Sequence, residues 1–125
     1  MRLLLDTNIV IRLSQGERQI DRATHRIIEG ASAIYVSSAS IWEIAIKTSI
    51  RKLAIDVSRL ERGLLEAGIK PLPITWAHAC RVHDIVLSHP DPFDRLLAQA
   101  VCEPLHLLTR DERLVQYGGG LVIAV

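Results

Sequence analysis

The sequence predicts an α/β domain of three layers, in which a mainly parallel central sheet of four to five short strands is flanked by helices. Two observations predict this fold: short runs of branched apolar residues, and longer segments between them whose apolar residues recur three or four positions apart. Such strands are buried on both faces and are joined by right-handed helical crossovers. The chain of 125 residues suits one such domain and is too short for two, so we expect a single domain over residues 1–125.

Four short apolar runs are the strand candidates. They are Leu3–Leu5, Ile34–Val36, Leu105–Leu108 and Leu121–Val125. A weaker fifth candidate covers Lys70–Ile74, where Pro71 and Pro73 each remove a backbone donor. Because proline interrupts the hydrogen-bond ladder of a central strand, this segment belongs at an edge of the sheet if it belongs to the sheet at all.

Five segments between the strand candidates show helical spacing. They are residues 18–29, 38–50, 57–67, 75–87 and 92–102. Asp56 precedes one of these helices and Gly68 closes it, and Thr75 opens the next. Asp91–Pro92 offers an N-cap followed by proline at the first helical position. A capping box over Thr109–Glu112 predicts one more short helix, which ends at a run of glycines.

Charge and cysteine usage limit the functional classes. Fifteen basic side chains against fourteen acidic ones give a net charge of +1, so any phosphate binding must be local. Cys80 and Cys102 lie in apolar, helix-like surroundings without CxxC spacing, and we interpret them as buried, reduced thiols. Asp6 interrupts the apolar N-terminal segment, and no run is long enough to cross a bilayer. We therefore expect a cytoplasmic protein.

Four acidic residues fall where a parallel sheet binds its ligands, beyond the carboxyl ends of the strands. Asp6 closes the first strand, and Asp111 lies just past the strand that ends near Thr109. Glu43 lies in the first turns of the helix that follows the second strand. Asp94 lies in the first turn of a later helix, which reaches this edge only if the preceding loop wraps back over it.

Each acidic residue also has a structural interpretation. Asp6 can simply end a strand and start a turn. Glu43 can complete a capping box with Ser40 or pair with Lys47 one helical turn later. The other two aspartates can interact with helix dipoles.

Taken together, the four acidic residues favour a metal site. Carboxylates that converge on one cleft repel each other and raise their pKa values unless cations neutralise them. Oxygen ligands without nearby cysteine or histidine pairs favour Mg²⁺ or Mn²⁺ over zinc. The sequence has no HExxH pair, Walker lysine loop, dinucleotide glycine pattern or GxSxG elbow that would indicate other chemistry.

Four segments resemble the PIN-domain family in order and spacing, and within it the VapC-like toxins of bacterial toxin–antitoxin pairs. The segments are Leu5–Asn8, Val36–Ser38 with Ile41–Lys47, Asp91–Ala100 and Leu108–Asp111. The resemblance runs from Met1 to about Ile123, and the Asp-Pro-Phe-Asp-Arg block is its most specific part. It implies a PIN-like fold for the single domain.

The resemblance also implies the function and its site residues. The implied function is a Mg²⁺- or Mn²⁺-dependent endoribonuclease, the toxin of a toxin–antitoxin pair, that cuts structured RNA such as tRNA. The implied metal ligands and catalytic residues are Asp6, Glu43, Asp94 and Asp111. Thr7, Asn8 and Thr109 are implied to contact and orient these ligands without binding the metal. The family also suggests a homodimer and a cognate antitoxin that occupies an apolar groove and reaches toward the site.

One segment departs from the family pattern. Where relatives often carry Gly-Lys after the helix that bears the glutamate, this chain has Ile50–Leu53, so the end of that helix is expected to differ. Several basic residues near the acids can contact the RNA backbone, although a solvated helix face explains the first three equally well. They are Lys47, Arg51, Lys52, Arg95 and Arg110, with Arg113 nearby.

Two other classes of protein remain open. A haloacid-dehalogenase-like phosphatase also places an aspartate after its first parallel strand, but it needs an acid two residues later, where this chain has Asn8. The second is a binding module, either a receiver-like domain or a catalytically silent PIN-like domain that binds RNA or protein. A receiver needs paired acids after its first strand, and a silent PIN domain normally loses members of its acidic set.

Overall fold

The computed structural model describes residues 1–16, 19–86 and 94–125, with the backbone alone at 85, 86, 94, 117 and 118. The strands in these ranges are β1 (Arg2–Leu5), β2 (Ala33–Ser37), β3 (Lys70–Leu72), β4 (His106–Thr109) and β5 (Val122–Ala124). The helices there are α1 (Thr7–Ser14), α2 (Arg22–Glu29), α3 (Ser38–Ser49), α4 (Val57–Glu66), α5 (Trp76–Val86), α6 (Asp94–Cys102) and α7 (Glu112–Gly118). A short 3₁₀ turn at Gly119–Leu121 leads into β5.

The strands form one parallel sheet in the order β3-β2-β1-β4-β5. The central strand β1 pairs with β2 on one side and with β4 on the other, so that Leu4 lies between Tyr35 and Leu107. The segment that contains Pro71 is the edge strand β3, as its prolines predict. The predicted parallel sheet is confirmed, including its fifth strand.

Alternating side chains of β1 enter two separate cores, which makes the fold three-layered. Leu3 and Leu5 pack in one core with residues of α1, α3 and α4. Leu4 packs in the other with residues of α6 and α7. All three leucines are fully buried. Since burying a leucine contributes about 1.5–3 kcal/mol, β1 is the strand on which both layers depend.

Helix α1 is missing from the sequence prediction, which assigns no helix to residues 7–14. Asp6 ends β1 and caps α1 directly, its carboxylate accepting a hydrogen bond from the N–H of Thr7. No glycine or proline separates strand from helix, so the apolar pattern gives no sign of the change. The turn considered for Asp6 is therefore a helix start.

The predicted helix starts hold in most places. Asp56 accepts a hydrogen bond from the N–H of Arg59, and the Thr75 hydroxyl accepts one from the N–H of His78. The predicted capping box over Thr109–Glu112 is wrong in detail, because Asp111 itself is the N-cap of α7. The Asp91–Pro92 cap lies outside the described residues.

The prediction that both cysteines are buried is wrong. Cys80 is exposed and Cys102 half-buried, and both are free thiols. The reason lies in how α5 packs: its main neighbour is α6, and His78 is its buried position in the described part of the helix. The surface of α5 that carries Cys80 therefore faces solvent.

Among the residues that the structure describes, no helix is long and apolar enough to span a membrane.

Helix α3 ends in a left-handed turn that contains no glycine. Arg51 has φ +61°, the left-handed conformation that glycine adopts without strain. The N–H of Lys52 donates to the Lys47 carbonyl and the N–H of Arg51 to the Thr48 carbonyl, which is a Schellman motif. Arg51 and Lys52 therefore end α3 with this motif without a glycine. Gly68 closes α4 with the same pattern at φ +79°.

Replacing Arg51 by glycine is expected to raise the free energy of unfolding by roughly 0.5–1 kcal/mol, because it relieves the left-handed strain at a small entropic cost. Gly68→Ala is the matched control and is expected to lower it by about 1 kcal/mol for the opposite reason. Urea denaturation measures both. Destabilisation by Arg51→Gly would show that the arginine side chain contributes more than its backbone strain costs.

Candidate acidic site at the carboxyl edge of the sheet

Asp6 is the most deeply buried of the predicted site residues. Its side chain is fully inaccessible, at the point where β1 passes into α1. One carboxylate oxygen accepts a hydrogen bond of 2.7 Å from the N–H of Thr7, and the other accepts one of 2.5 Å from the Thr109 hydroxyl. A carboxylate at a helix N-terminus also interacts favourably with the helix dipole. Local structure therefore fixes both oxygens of Asp6.

Burial raises the pKa of Asp6 above its ordinary value of 3.8. The hydrogen bonds from the Thr109 hydroxyl and the Thr7 N–H lower this pKa and partly offset the effect of burial. The negative charges of Asp111 and Glu43 raise it further. The structure thus brings three of the four predicted acidic residues within electrostatic reach of one another.

Thr109 connects the ends of the two adjacent strands β1 and β4. Its hydroxyl donates to Asp6, and its oxygen accepts a hydrogen bond of 3.0 Å from the N–H of Asp111. Since a hydroxyl has a single proton, the direction of both bonds is fixed. The fully buried Thr109 therefore holds the start of the Asp111 segment against Asp6.

A second buried contact ties α1 to α3. The Thr7 hydroxyl donates to the Ser40 oxygen at 2.9 Å, and both side chains are buried. Ser40 lies one helical turn before Glu43, so this contact fixes the position of the helix that carries the glutamate. The capping box considered for Ser40 and Glu43 does not form, because Ser37 is the N-cap of α3. Asn8, the third predicted supporting residue, is exposed.

Glu43 lies on α3 with its side chain 31% exposed. It pairs with Lys47 at 3.2 Å, four residues along the helix, which is the structural interpretation considered for this residue. Glu43 also lines a groove on the protein surface. The ion pair and the groove position are compatible, because an exposed pair of this kind is weak.

Asp111 is held by Arg113. Its two carboxylate oxygens accept hydrogen bonds of 3.2 and 3.0 Å from the Arg113 guanidinium, and one of them also accepts the N–H of Arg113 at 2.9 Å. The Asp111 side chain is 13% exposed. The helix-capping role weighed for this residue is therefore realised together with an ion pair.

The fourth acidic residue, Asp94, is the first residue of α6. Its backbone lies within the described part of the chain and its side chain does not. Among the side chains that are described, no group of three or more histidine, cysteine or acidic residues is close enough to hold a metal ion. The chemistry of the predicted residues fits a hard divalent cation, since all four would offer carboxylate oxygens and Asp6 is buried away from solvent.

A groove of about 540 Å³ opens beside Glu43. Two apolar residues of α3 and the residue that caps its end, each four positions from the next, line it and are 50–65% exposed: Trp42, Ile46 and Ile50. Three of the predicted RNA-binding residues also line it: Lys47, Lys52 and Arg95. The groove therefore combines an apolar stripe with local positive charge, although the net charge of the chain is +1.

The two other predicted basic residues lie elsewhere. Arg51 is exposed at the end of α3 and is not among the residues that line the groove. The pKa of Asp21 is lowered by hydrogen bonds from Thr24 and then by the charges of Arg110 and Arg12, so Arg110 lies within electrostatic reach of the start of α2. Three of the five predicted basic residues thus line the groove, and two do not.

Three features of this site were not predicted from the sequence: the contact of Ser40 with Thr7, the apolar stripe at Trp42, Ile46 and Ile50, and the ion pair of Arg113 with Asp111. A serine three residues before the glutamate was visible, but its partner was not. The stripe repeats every four residues, a spacing that equally predicts a core-facing helix. No spacing signal distinguishes a pair two residues apart from two solvated side chains.

The PIN domain family profile matches residues 3–120 of the chain. No curated protein matches it significantly. The chain is similar to a solved toxin–antitoxin complex from Klebsiella pneumoniae, with 22% identity, a TM-score of 0.74, and coverage of 98% of this chain and 96% of that one.

Two further solved structures are similar in fold. One is VapBC2 from Rickettsia felis bound to a DNA fragment from its promoter, with 12% identity, a TM-score of 0.69, and coverage of 100% and 98% of the two chains. The other is VapBC-1 from nontypeable Haemophilus influenzae, with 16% identity, a TM-score of 0.69, and coverage of 93% and 91%. At such low identities these similarities establish the fold alone.

The raised pKa of Asp6 makes folding stability depend on pH. Between pH 3.8 and the raised value, the folded protein binds a proton that the unfolded chain does not, so stability increases as the pH falls through that window. Asp6→Asn removes this contribution. Calorimetry without divalent ions should therefore show the wild type gaining melting temperature relative to the variant on mild acidification. A difference that stays constant, or moves in favour of the variant, contradicts the pKa direction.

Proposed function

The chain belongs to the PIN domain family, and on that premise we propose that it is a metal-dependent endoribonuclease and the toxin of a toxin–antitoxin pair. The observation that carries the proposal is the buried Asp6, whose pKa is raised by burial and by two further acidic residues at the same edge of the sheet. An ionised carboxylate in such surroundings is costly unless a cation approaches it. Family membership supports nuclease chemistry at this edge.

The proposed metal ligands are Asp6, Glu43, Asp94 and Asp111, which would hold Mg²⁺ or Mn²⁺. When bound, the ion would polarise the phosphodiester and stabilise the charge that develops on its oxygens. The chain's own groups supply positioning: the Thr7 N–H and the Thr109 hydroxyl orient the two oxygens of Asp6.

RNA is the proposed substrate, with structured RNA such as tRNA suggested by the resemblance. Support comes from the groove beside Glu43, where Lys47, Lys52 and Arg95 offer positive charge to backbone phosphates. The exposed Trp42 in the same groove provides an aromatic surface on which an unpaired base can stack. The proposal places the protein in the cytoplasm, where such RNA occurs.

A cognate antitoxin is the proposed protein partner. The similar solved structures include complexes of toxins with antitoxins, which supports this assignment. The apolar stripe of Trp42, Ile46 and Ile50 gives a chain of this kind a surface to bind. We also propose a homodimer, which the resemblance suggests. The exposed Ile74 and Trp76 at the start of α5 are candidates for the dimer contact surface.

Asp6→Asn is expected to lower the rate of RNA cleavage by roughly a thousandfold, because it removes a buried metal-binding charge while keeping the shape of the side chain. Glu43→Gln is expected to lower it as well. Cleavage of tRNA and of synthetic RNA is measured in Mg²⁺, in Mn²⁺ and with a chelator, after circular dichroism has shown that each variant is folded.

Asp84→Asn, an exchange at an exposed aspartate of α5, is the matched control and should cleave as the wild type does. Undiminished cleavage by Asp6→Asn would contradict the site assignment. Wild-type protein that binds RNA without cutting it in either ion would indicate a binding module, and a trapped aspartyl-phosphate would indicate a phosphatase.

Ile46→Asp is expected to weaken binding of the purified cognate antitoxin by about tenfold or more, because it places a charge in the middle of the apolar stripe. Ile46 is 50% exposed, so the fold should tolerate the change. The control is Leu65→Asp on α4, where the leucine is 55% exposed and does not line the groove. Isothermal titration gives both affinities, and equal weakening by the two variants would place the antitoxin elsewhere.

A further inference from the structure

Two of the carboxylates at the sheet edge form ion pairs with basic side chains of this chain. Crowded carboxylates favour binding of a divalent ion, yet two of the three site residues Asp6, Glu43 and Asp111 pair with basic side chains of the same chain. Glu43 pairs with Lys47, and Asp111 pairs with Arg113. Asp6 accepts hydrogen bonds from the N–H of Thr7 and the hydroxyl of Thr109. Basic side chains therefore balance the charge of two of these three carboxylates.

The two ion pairs differ in strength. Lys47 touches Glu43 at one oxygen, and both side chains are well exposed, at 41% and 31%. The Arg113 guanidinium donates hydrogen bonds to both carboxylate oxygens of Asp111, whose side chain is 13% exposed. A two-point guanidinium pair with a poorly exposed carboxylate is stronger and more directional than a single ammonium contact near solvent. Arg113 is thus the more effective of the two internal counter-charges.

This geometry puts Arg113 in competition with a divalent ion. An ion that takes an oxygen of Asp111 meets a guanidinium already bound to that oxygen, and the two positive charges repel each other at short range. Each carboxylate oxygen has a second lone pair, so an ion can bind Asp111 beside Arg113, but only against the repulsion of the guanidinium. The Arg113 side chain is 57% exposed.

We propose that Arg113 sets the divalent-ion affinity of the site by occupying Asp111 in the metal-free protein. Arg113 is in this sense a positioning residue, because the role proposed here is exerted through Asp111. The inference rests on the proposed metal site. Its consequence is a protein that is stable without metal and binds the ion more weakly than its carboxylates alone would.

The test is a titration of the full-length protein with Mn²⁺, in which electron paramagnetic resonance counts free ions and no substrate is present. Arg113→Ala is expected to bind Mn²⁺ roughly five- to tenfold more tightly than the wild type. Arg113→Lys keeps the charge but loses the two-point grip, and it should fall between them. Arg62→Ala removes the same charge from an exposed arginine of α4 and should leave the affinity unchanged.

A double-mutant comparison separates this role from a general charge effect. In an Asp111→Asn background, the further change Arg113→Ala should alter Mn²⁺ affinity less than it does in the wild type, because the ion pair with residue 111 is already lost. The melting temperature of Arg113→Ala should rise more on addition of Mn²⁺ than that of the wild type.

Unchanged or weaker Mn²⁺ binding by Arg113→Ala overturns the inference and leaves the proposed function standing. An equal gain in Arg62→Ala also overturns it, since net charge would then explain the effect. Absence of Mn²⁺ binding in the wild type and in every variant overturns both the inference and the metal site on which it rests.

Discussion

The hydrogen bond from Thr109 to the buried Asp6 is the contact on which the rest of the site depends. It joins the ends of the two strands at the centre of the sheet, and the same threonine oxygen receives the N–H of Asp111. A carboxylate with no solvent access needs such donors, because an unsatisfied buried charge is strongly destabilising. The fold supplies them at the edge where parallel sheets bind ligands.

The three described acidic residues differ in how their charge is balanced. The buried Asp6 relies on hydroxyl and amide donors, the sparingly exposed Asp111 on a guanidinium, and the more exposed Glu43 on an ammonium. The costliest charge is thus also the one with no basic side chain in contact. This arrangement gives an incoming cation the most to gain at Asp6.

The sequence was sufficient where physical rules are local or periodic, and insufficient where neighbours decide. Branched apolar runs predict the strands, and parallel pairing then brings Asp6 and Asp111 to one edge. Helix α1 was missed because no glycine or proline precedes it. The exposure of Cys80 depends on how few elements cover α5. The contact of Arg113 with Asp111 depends on the side-chain rotamer of the arginine. Residue spacing predicts neither feature.

One helix, α3, carries a site carboxylate, a neighbouring cation and the apolar stripe of the groove. Glu43 lies directly after Trp42, and the stripe continues one turn further at Ile46. Any polypeptide that binds along Trp42 and Ile46 would also cover the Glu43 carboxylate. Occupancy of the groove and entry of a phosphodiester would then exclude each other sterically, so that an inhibitor could block the site without touching any of the buried side chains.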